Sequence, residues 1–135
     1  GDTELAKIIA QYYCEQSQQM LQQGDFKDAE NLATQALNTD KNCVRASIIL
    51  ADLSINRGRY QKAIRFLQQV ESQDVQLLPL VVSKLLHCYR NISNLTKALI
   101  YLKSICHNEK TIYNFIFNYF INISFYKRRK YKKSY

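Results

Sequence analysis

The segment Gly24-Asp25-Phe26-Lys27-Asp28-Ala29 is followed 34 residues later by Gly58-Arg59-Tyr60-Gln61-Lys62-Ala63. In both segments a glycine precedes a polar residue and an aromatic ring, and an alanine follows three residues after the ring. Asp40 and Asp74 are separated by the same interval. A fixed period of this length is the sequence signature of a repeat protein. We therefore expect consecutive copies of one structural unit.

A third copy follows as Asn94-Leu95-Thr96-Lys97-Ala98, in which Ala98 lies 35 residues after Ala63. In this copy Ser93 stands in place of the glycine and Leu95 in place of the aromatic residue. The additional residue fits a loop between Gln76 and Pro79. The third copy is thus a degenerate version of the first two.

Local chemistry predicts that each segment is the turn of a helical hairpin. Gly24 and Gly58 end one helix, because a left-handed residue costs little only for glycine, and Asp25 caps the next. We expect Phe26 and Tyr60 to pack into the corner between the two helices. Apolar residues recur at helical spacing on either side of the turns. This all-α pattern predicts six helices in three hairpins, over residues 3–22, 26–38, 43–57, 60–72, 79–91 and 95–107.

Composition excludes several classes of protein. The chain has 135 residues, the usual length of one domain, and its three glycines and one proline are too few for an all-β fold. Its four cysteines, Cys14, Cys43, Cys88 and Cys106, form no CxxC pair, which excludes a zinc ribbon within this chain. Their number and the chain length favour a reducing compartment over a disulfide scaffold. The chain begins with Gly1 and without a signal peptide, so we interpret it as a fragment or a processed piece.

Charge and aromatic content divide the chain near residue 108. Residues 1–108 contain 12 Lys/Arg and 10 Asp/Glu, whereas residues 109–135 contain seven and one. Nine of the 16 aromatic residues also lie after residue 108. We therefore predict a repeat domain over 1–108, with repeats at about 10–43, 44–77 and 79–108, and a separate aromatic and basic tail over 109–135.

The 34-residue period with its glycine, aromatic and alanine resembles the tetratricopeptide repeat (TPR). The resemblance implies a right-handed solenoid of helical hairpins, in which the first helix of each pair lines a concave face. In repeat phase, the residues predicted to face this groove are Gln11, Cys14, Glu15, Gln18, Gln22, Arg45, Ile48, Ile49, Asp52, Asn56 and Lys84, with Val81, Leu85 and Cys88 as less certain members. These side chains mix amides, charges and apolar groups.

Two interpretations of this face remain open. It docks a peptide or a helix of a partner protein, or it is a solvated surface without a partner. A clamp for a C-terminal carboxylate is not expected, because its positions hold Cys14, Gln18, Ile49 and Leu80, and only Lys84 suits the role.

A more specific resemblance begins at Ile9-Ala10-Gln11-Tyr12-Tyr13-Cys14-Glu15. It continues in phase through Asp40-Lys41-Asn42, Ala46-Ser47-Ile48, the second repeat turn, Ser72-Gln73-Asp74 and Cys88-Tyr89. Over about residues 5–107 this order resembles the lipopolysaccharide assembly protein B (LapB) family. That resemblance implies an adaptor that brings the deacetylase LpxC to the protease FtsH at the cytoplasmic face of the bacterial inner membrane. It implies protein partners and no nucleic acid.

The same resemblance implies an N-terminal membrane anchor and a rubredoxin-like metal domain with two CxxC pairs. Neither is found in this sequence, so no cofactor is expected in this chain. His87-Cys88 and Cys106-His107 are the candidate metal ligands. They are poor candidates, since neighbouring residues on a helix point about 100° apart. No phosphate loop, HExxH motif or Ser-His-Asp order occurs, and we expect no enzymatic activity.

The tail leaves further alternatives. Residues 111–126 are uncharged, and the basic segment 127–133 follows them. The uncharged run is shorter than the ~20 residues that cross a bilayer. The tail is a helix that caps the repeats, a membrane-surface segment, or a translation product of a frameshift. The functional alternatives are a generic TPR scaffold with an unrelated partner, and a membrane- or RNA-binding module acting through the tail.

Overall fold

The structure is a computed structural model that describes residues 2–77, 79–92, 96–97, 100 and 103–104. The chain divides into two compact units, Gly1–Ser93 and Asn94–Tyr135. The helices of the first unit are α1 (Asp2–Gln22), α2 (Phe26–Thr39), α3 (Val44–Asn56), α4 (Tyr60–Gln73) and α5 (Pro79–Asn91), with a short 3-10 helix at Val75–Leu77. The described residues contain no strand, and the all-α prediction is confirmed.

The predicted bounds of these five helices agree with the observed ones to within a residue at each end. Within the predicted sixth helix, the described residues 96–97, 100 and 103–104 are helical. The rest of that helix, the predicted boundary at residue 108 and the tail over 109–135 lie outside the described residues.

The two predicted glycine turns are present with the backbone geometry that glycine favours. Gly24 has φ +80° and Gly58 has φ +71°. After α1, the N–H of Asp25 donates to Met20 O at 2.9 Å and the N–H of Gly24 donates to Leu21 O at 3.1 Å. The turn at Gly58 repeats this pair of hydrogen bonds. Both turns are therefore Schellman motifs, which satisfy carbonyls at the end of each first helix.

The caps explain where the second helices begin and end. Asp25 precedes α2, and its Oδ1 accepts a hydrogen bond from the N–H of Asp28 at 3.2 Å, as the sequence predicts. Asp40 and Asp74 follow α2 and α4, and the carboxylate of each accepts the N–H two residues later, at 3.0 and 3.1 Å. These aspartates hold equivalent loops, one per repeat.

Small residues allow α1 and α2 to approach closely. Ala29, Ala33 and Ala36 on α2 are completely buried, as are Ala10 and Ser17 on α1. The hydroxyl of Ser17 donates to Ala29 O at 2.7 Å. Small buried residues therefore line the contact between the two helices of the first hairpin.

The expectation that the two aromatic turn residues pack into the corner of their own hairpin stays a prediction for Tyr60, whose ring contact is with the following helix. Tyr60 is half-buried, and its ring lies edge-on to the ring of His87 on α5, with 5.9 Å between centroids. Phe26 is 48% exposed, so its predicted packing into the hairpin corner is wrong for about half of its surface. Phe26 is the first residue of α2, and at this end of the hairpin solvent reaches the ring.

Candidate functional site

A cavity of about 770 Å³ lies on the face that α1, α3 and the start of α5 share with the loops after α2 and α4. We call this cavity the groove. Its lining residues are Lys7, Gln11, Gln18, Leu21, Asp40, Asn42, Cys43, Val44, Arg45, Ile48, Ile49, Asp52, Gln73, Asp74, Leu77 and Leu80. All of them belong to the first compact unit.

The structure brings about half of the predicted face together around the groove. The predicted residues that line it are Gln11, Gln18, Arg45, Ile48, Ile49 and Asp52. Glu15 and Lys84 lie beside it and pair with groove residues. Gln22 and Asn56 are exposed and lie outside the lining. Cys14 is completely buried, so it is not placed to contact a partner on the surface.

Arg45 connects α3 to α1 across one wall of the groove. Its Nη2 lies 2.8 Å from Glu15 Oε2, and its Nη1 donates to Gln11 Oε1 at 3.3 Å. The same guanidinium also donates to Gln18 Oε1. One cation thus organises three polar side chains on the neighbouring helix, which uses the fork of donors that only arginine offers.

An ion pair also joins α3 to α5, the first helices of the second and third repeats. Lys84 on α5 donates through Nζ to Asp52 Oδ1 on α3, at 2.7 Å. Arg45 and Lys84 are therefore each paired with a carboxylate on the neighbouring first helix. Because the side chains of both pairs are partly exposed, each pair adds at most about 1 kcal/mol to stability.

The groove also contains apolar surface that a ligand can bury. Ile48 is half-buried, and Leu80 at the start of α5 is 62% exposed. Gln73 closes the floor, where its Nε2 donates to Lys41 O at 2.9 Å and to Ser47 Oγ at 2.8 Å. A surface with exposed apolar side chains beside paired charges and amides is suited to binding a peptide.

Two cysteines meet beneath the wall that Arg45 forms. The Sγ atoms of Cys14 and Cys43 lie 3.7 Å apart, and Gln11 Nε2 lies 3.8 Å from Cys43 Sγ. The hydrogen bond with Cys43 and burial raise the pKa of the Cys14 thiol well above its usual range. The hydrogen bond from Cys14 lowers the pKa of Cys43, and the N–H of Ala46 and the charge of Arg45 act in the same direction. The two thiols therefore differ in acidity.

Sequence reasoning missed the groove residues that lie outside the first helices. Asp40 and Asn42 come from the loop after α2, and Gln73 and Asp74 come from the end of α4. A signal for two of them exists, since Asp40 and Asp74 are one repeat period apart. The assumption that only first helices line the face excluded them. No sequence signal marks Lys7 or Leu77.

The described residues of this unit contain no side-chain arrangement that supports either a metal site or a clamp for a C-terminal carboxylate. Within residues 2–77 and 79–92, no three His, Cys, Asp or Glu side chains are grouped as a metal site would require. Cys88 is buried and His87 is exposed, while Cys106 and His107 lie outside the described residues. Burial and the nearby charge of Asp52 raise the pKa of Cys88 to about 11. Lys84, the one cation suited to a carboxylate clamp, is paired with Asp52.

None of the helices in the described part of the chain combines the length and the hydropathy that crossing a bilayer requires.

Comparison with known proteins identifies the same repeat that the helical hairpins show. Residues 20–83 match the tetratricopeptide repeat family. This match spans the end of α1, all of α2, α3 and α4 and the start of α5, which is the region of the two glycine turns. Residues 20–83 therefore have the helical-hairpin fold of tetratricopeptide repeats.

More specific similarity extends beyond those repeats. Over 94 residues the chain is 33% identical to lipopolysaccharide assembly protein B of Haemophilus influenzae. The aligned region covers 70% of this chain and 24% of that protein. Over 84 residues it is 34% identical to lipopolysaccharide assembly protein B of Escherichia coli K12, covering 62% of this chain and 22% of the relative. The matched region thus spans about a quarter of the length of these relatives. The predicted resemblance to this family is confirmed for that region.

Proposed function

We propose that this chain is a non-enzymatic adaptor whose groove docks a segment of a partner protein. The observation that carries the proposal is the groove itself, which combines exposed apolar surface at Leu80 with the paired charges of Arg45 and Lys84. A docked segment buries the apolar side chains and meets the amides of Gln11 and Gln18 without breaking either ion pair.

The charge arrangement favours an internal segment over a free C-terminus. Along the first helices that the structure describes, Arg45 is held by Glu15 and Lys84 by Asp52. A carboxylate that bound either cation would have to replace the carboxylate already there. Such an exchange gains little free energy, since one exposed ion pair replaces another.

The similarity to lipopolysaccharide assembly protein B supports a more specific proposal. By this resemblance the chain regulates lipopolysaccharide synthesis at the cytoplasmic face of the inner membrane, where it brings LpxC to FtsH. The support is the identity of 33% over 94 residues, which reaches beyond the generic repeat match over 20–83. The alternative is a TPR scaffold with an unrelated partner, which the repeat match alone would support equally.

The test is a binding measurement with purified LpxC and purified FtsH, using the full chain immobilised. We expect at least one of them to bind, and we expect Leu80→Glu to weaken binding at least tenfold, because it places a charge on the apolar part of the groove. The matched control is Leu5→Glu, at a leucine of similar exposure (56% against 62%) outside the groove. We expect this control to bind within about twofold of the unaltered chain.

Each outcome separates two parts of the proposal. If neither protein binds, the proposed partners are wrong, and the generic scaffold becomes the better interpretation. If a protein binds but Leu5→Glu weakens it as much as Leu80→Glu does, the groove is not the docking surface. Both variants should retain the helical circular dichroism of the unaltered chain, since both substituted side chains are exposed.

The tail provides a separate test of domain organisation. We propose that residues 1–108 contain the binding function and that residues 109–135 are dispensable for it. Deletion of 109–135 should then leave partner binding unchanged. Loss of binding on deletion, together with binding of the intact chain to anionic lipid vesicles or to RNA, would instead favour a module that acts through its basic tail.

A further inference from the structure

Cys14 and Cys43 are the two thiols that the fold brings into contact. Cys14 lies in the middle of α1, and Cys43 is the residue directly before α3, 29 positions later in the chain. Their Sγ atoms are 3.7 Å apart, and the side chains are 0% and 2% exposed. A disulfide requires a separation of about 2.05 Å, so the sulfurs need to approach by only about 1.7 Å.

The two thiols have different chemical properties. Cys43 lies at the N-terminus of α3, where the helix dipole favours a thiolate, and the nearby charge of Arg45 acts in the same direction while burial and the charge of Asp40 oppose it. Cys43 also lines the groove, which gives a small oxidant a route to its sulfur. Cys14 is deeper, lies outside the groove lining and has a raised pKa, so it stays a protonated thiol. Access from the groove and the helix N-terminus suit Cys43 to attack an oxidant, and the 3.7 Å contact between the two sulfurs places Cys14 to resolve the product.

Cys88 provides the internal comparison. It is as deeply buried as Cys14, and no other thiol among the described residues contacts it. Burial is the main cause that raises its pKa to about 11, which suppresses the thiolate that reacts with oxidants. Reactivity at Cys43 with no reactivity at Cys88 would therefore reflect the thiol contact, the helix end and access from the groove, which Cys88 lacks.

We propose that Cys14 and Cys43 form a site of reversible oxidative modification, at which a peroxide converts the thiol pair to a disulfide beneath the groove wall. The Cys43 thiolate attacks one oxygen of hydrogen peroxide, the O–O bond breaks, and hydroxide leaves and takes up a proton as water. Cys43 is then a sulfenic acid. The Cys14 sulfur attacks the Cys43 sulfur, the S–O bond breaks, and the hydroxyl group leaves with the Cys14 proton as a second water. The two thiols lose two electrons, and the peroxide gains them.

The disulfide would join α1 to the start of α3 directly beside the Arg45 network. Gln11, which accepts a hydrogen bond from Arg45, also contacts Cys43 Sγ. Oxidation therefore changes the surroundings of one groove wall. This site does not depend on the identity of the docking partner, and a failure of the adaptor proposal would leave it standing.

The experiment treats the full, reduced chain with hydrogen peroxide and identifies the products by trypsin digestion and mass spectrometry. Cleavage after Lys and Arg places Cys14 in peptide 8–27 and Cys43 in peptide 42–45, while Cys88 and Cys106 fall in 85–90 and 104–110. We expect 8–27 to be joined to 42–45, with a product about 2 Da lighter than the two reduced peptides. A dithiol reductant should separate them, and Cys88→Ser should retain the product.

Two controls test the assigned roles. In Cys14→Ser the resolving thiol is absent, so a sulfenic acid should persist on peptide 42–45 and be trapped by dimedone. In denaturant the contact is lost, so the preference for the 8–27 and 42–45 pair should fall to that of a random pairing. The proposal is overturned if the folded chain gives no more of this pair than the denatured chain does, or if peptide 85–90 is oxidised first. It is also overturned if Cys14→Ser gives no trapped sulfenic acid on 42–45.

Discussion

Gly24 shows how one residue can be indispensable without making any side-chain contact. Its φ of +80° lies in the left-handed region, and a Cβ built on it would meet no atom within 4 Å. A substitution there is therefore opposed by backbone conformation and not by packing. Since the Schellman motif depends on this conformation, the residue ends α1 and orients the hairpin.

We expect Gly24→Ala to reduce the free energy of unfolding by about 1 kcal/mol, the cost of a left-handed alanine. Gly24→Asn is the matched variant, and it should lose less, because asparagine adopts this conformation more readily. Urea denaturation followed by circular dichroism measures both. Equal losses for Ala and Asn would contradict the conformational explanation and would point to a contact of the new side chain.

Ser17 limits the distance between α1 and α2. It is completely buried and donates to Ala29 O, so no space remains for a larger side chain. Ser17→Leu should lower the free energy of unfolding by about 1–3 kcal/mol through overpacking. Gln19→Leu is the control, since residue 19 is exposed on the same helix, and it should change stability little. A stability of Ser17→Leu equal to that of the control would mean that the helices separate easily.

At the scale of helices, Glu30 joins the first repeat to the second. The contact is made by α2 and α4, the second helix of each hairpin. The carboxylate of Glu30 on α2 accepts a hydrogen bond from Arg57, in the turn before α4, and lies 3.7 Å from Lys62 Nζ on α4. The side chain of Glu30 is 28% exposed. The hydrogen bond from Arg57 is the main cause that lowers the pKa of Glu30. This contact and the Arg45 network hold the two repeats together from different helices.

The lowered pKa predicts a pH dependence with a definite sign. A carboxyl whose pKa is lower in the folded state stabilises the fold above its unfolded pKa of about 4.3, and this contribution is lost as the pH falls through the folded value. Glu30→Gln should therefore lower the free energy of unfolding by about 0.5–1 kcal/mol at pH 7. The difference from the unaltered chain should shrink as the pH falls below about 4.3, because Glu30 then becomes protonated.

The control for this prediction is Glu4→Gln. Glu4 pairs with Lys7 on the same helix at 3.3 Å, and its side chain is 73% exposed, so its removal should change stability much less. Thermal unfolding at pH 7 and at pH 3 compares the two variants. A Glu30→Gln deficit that persists unchanged at pH 3 would show that the loss comes from something other than the charge.

At the scale of the described unit, the groove is assembled from the first two hairpins and the start of α5, and no single repeat contains it. The sequence predicted six of its members on α1 and α3, because the repeat phase places residues such as Gln11, Arg45 and Ile48 on one side of their helices. It did not predict the loop residues Asp40 and Asp74, whose contribution depends on how far the loops extend over the face. Cys14 was predicted to face the groove, but it lies beneath the groove wall.

The reason for that difference is the packing angle between helices. Repeat phase fixes the direction of a side chain around its own helix to within about one residue, or 100°. Whether Cys14 ends on the surface or under it depends on where α3 lies against α1. In this structure the start of α3, with Cys43, covers Cys14. The exposure of Phe26 differs from its prediction for a similar reason, because it depends on how far neighbouring helices extend past the turn.

The sequence by itself determined the repeat, the five described helices and the turns that separate them. These features are local, since a left-handed glycine, an aspartate cap and an apolar period act within a few residues of one another. Only the tertiary structure decided that Arg45 meets Glu15, that Lys84 meets Asp52 and that Cys14 meets Cys43, over separations of 30, 32 and 29 residues. Such contacts depend on the relative placement of whole helices. That placement is set by the packing of many side chains together, and no short segment of the sequence encodes it.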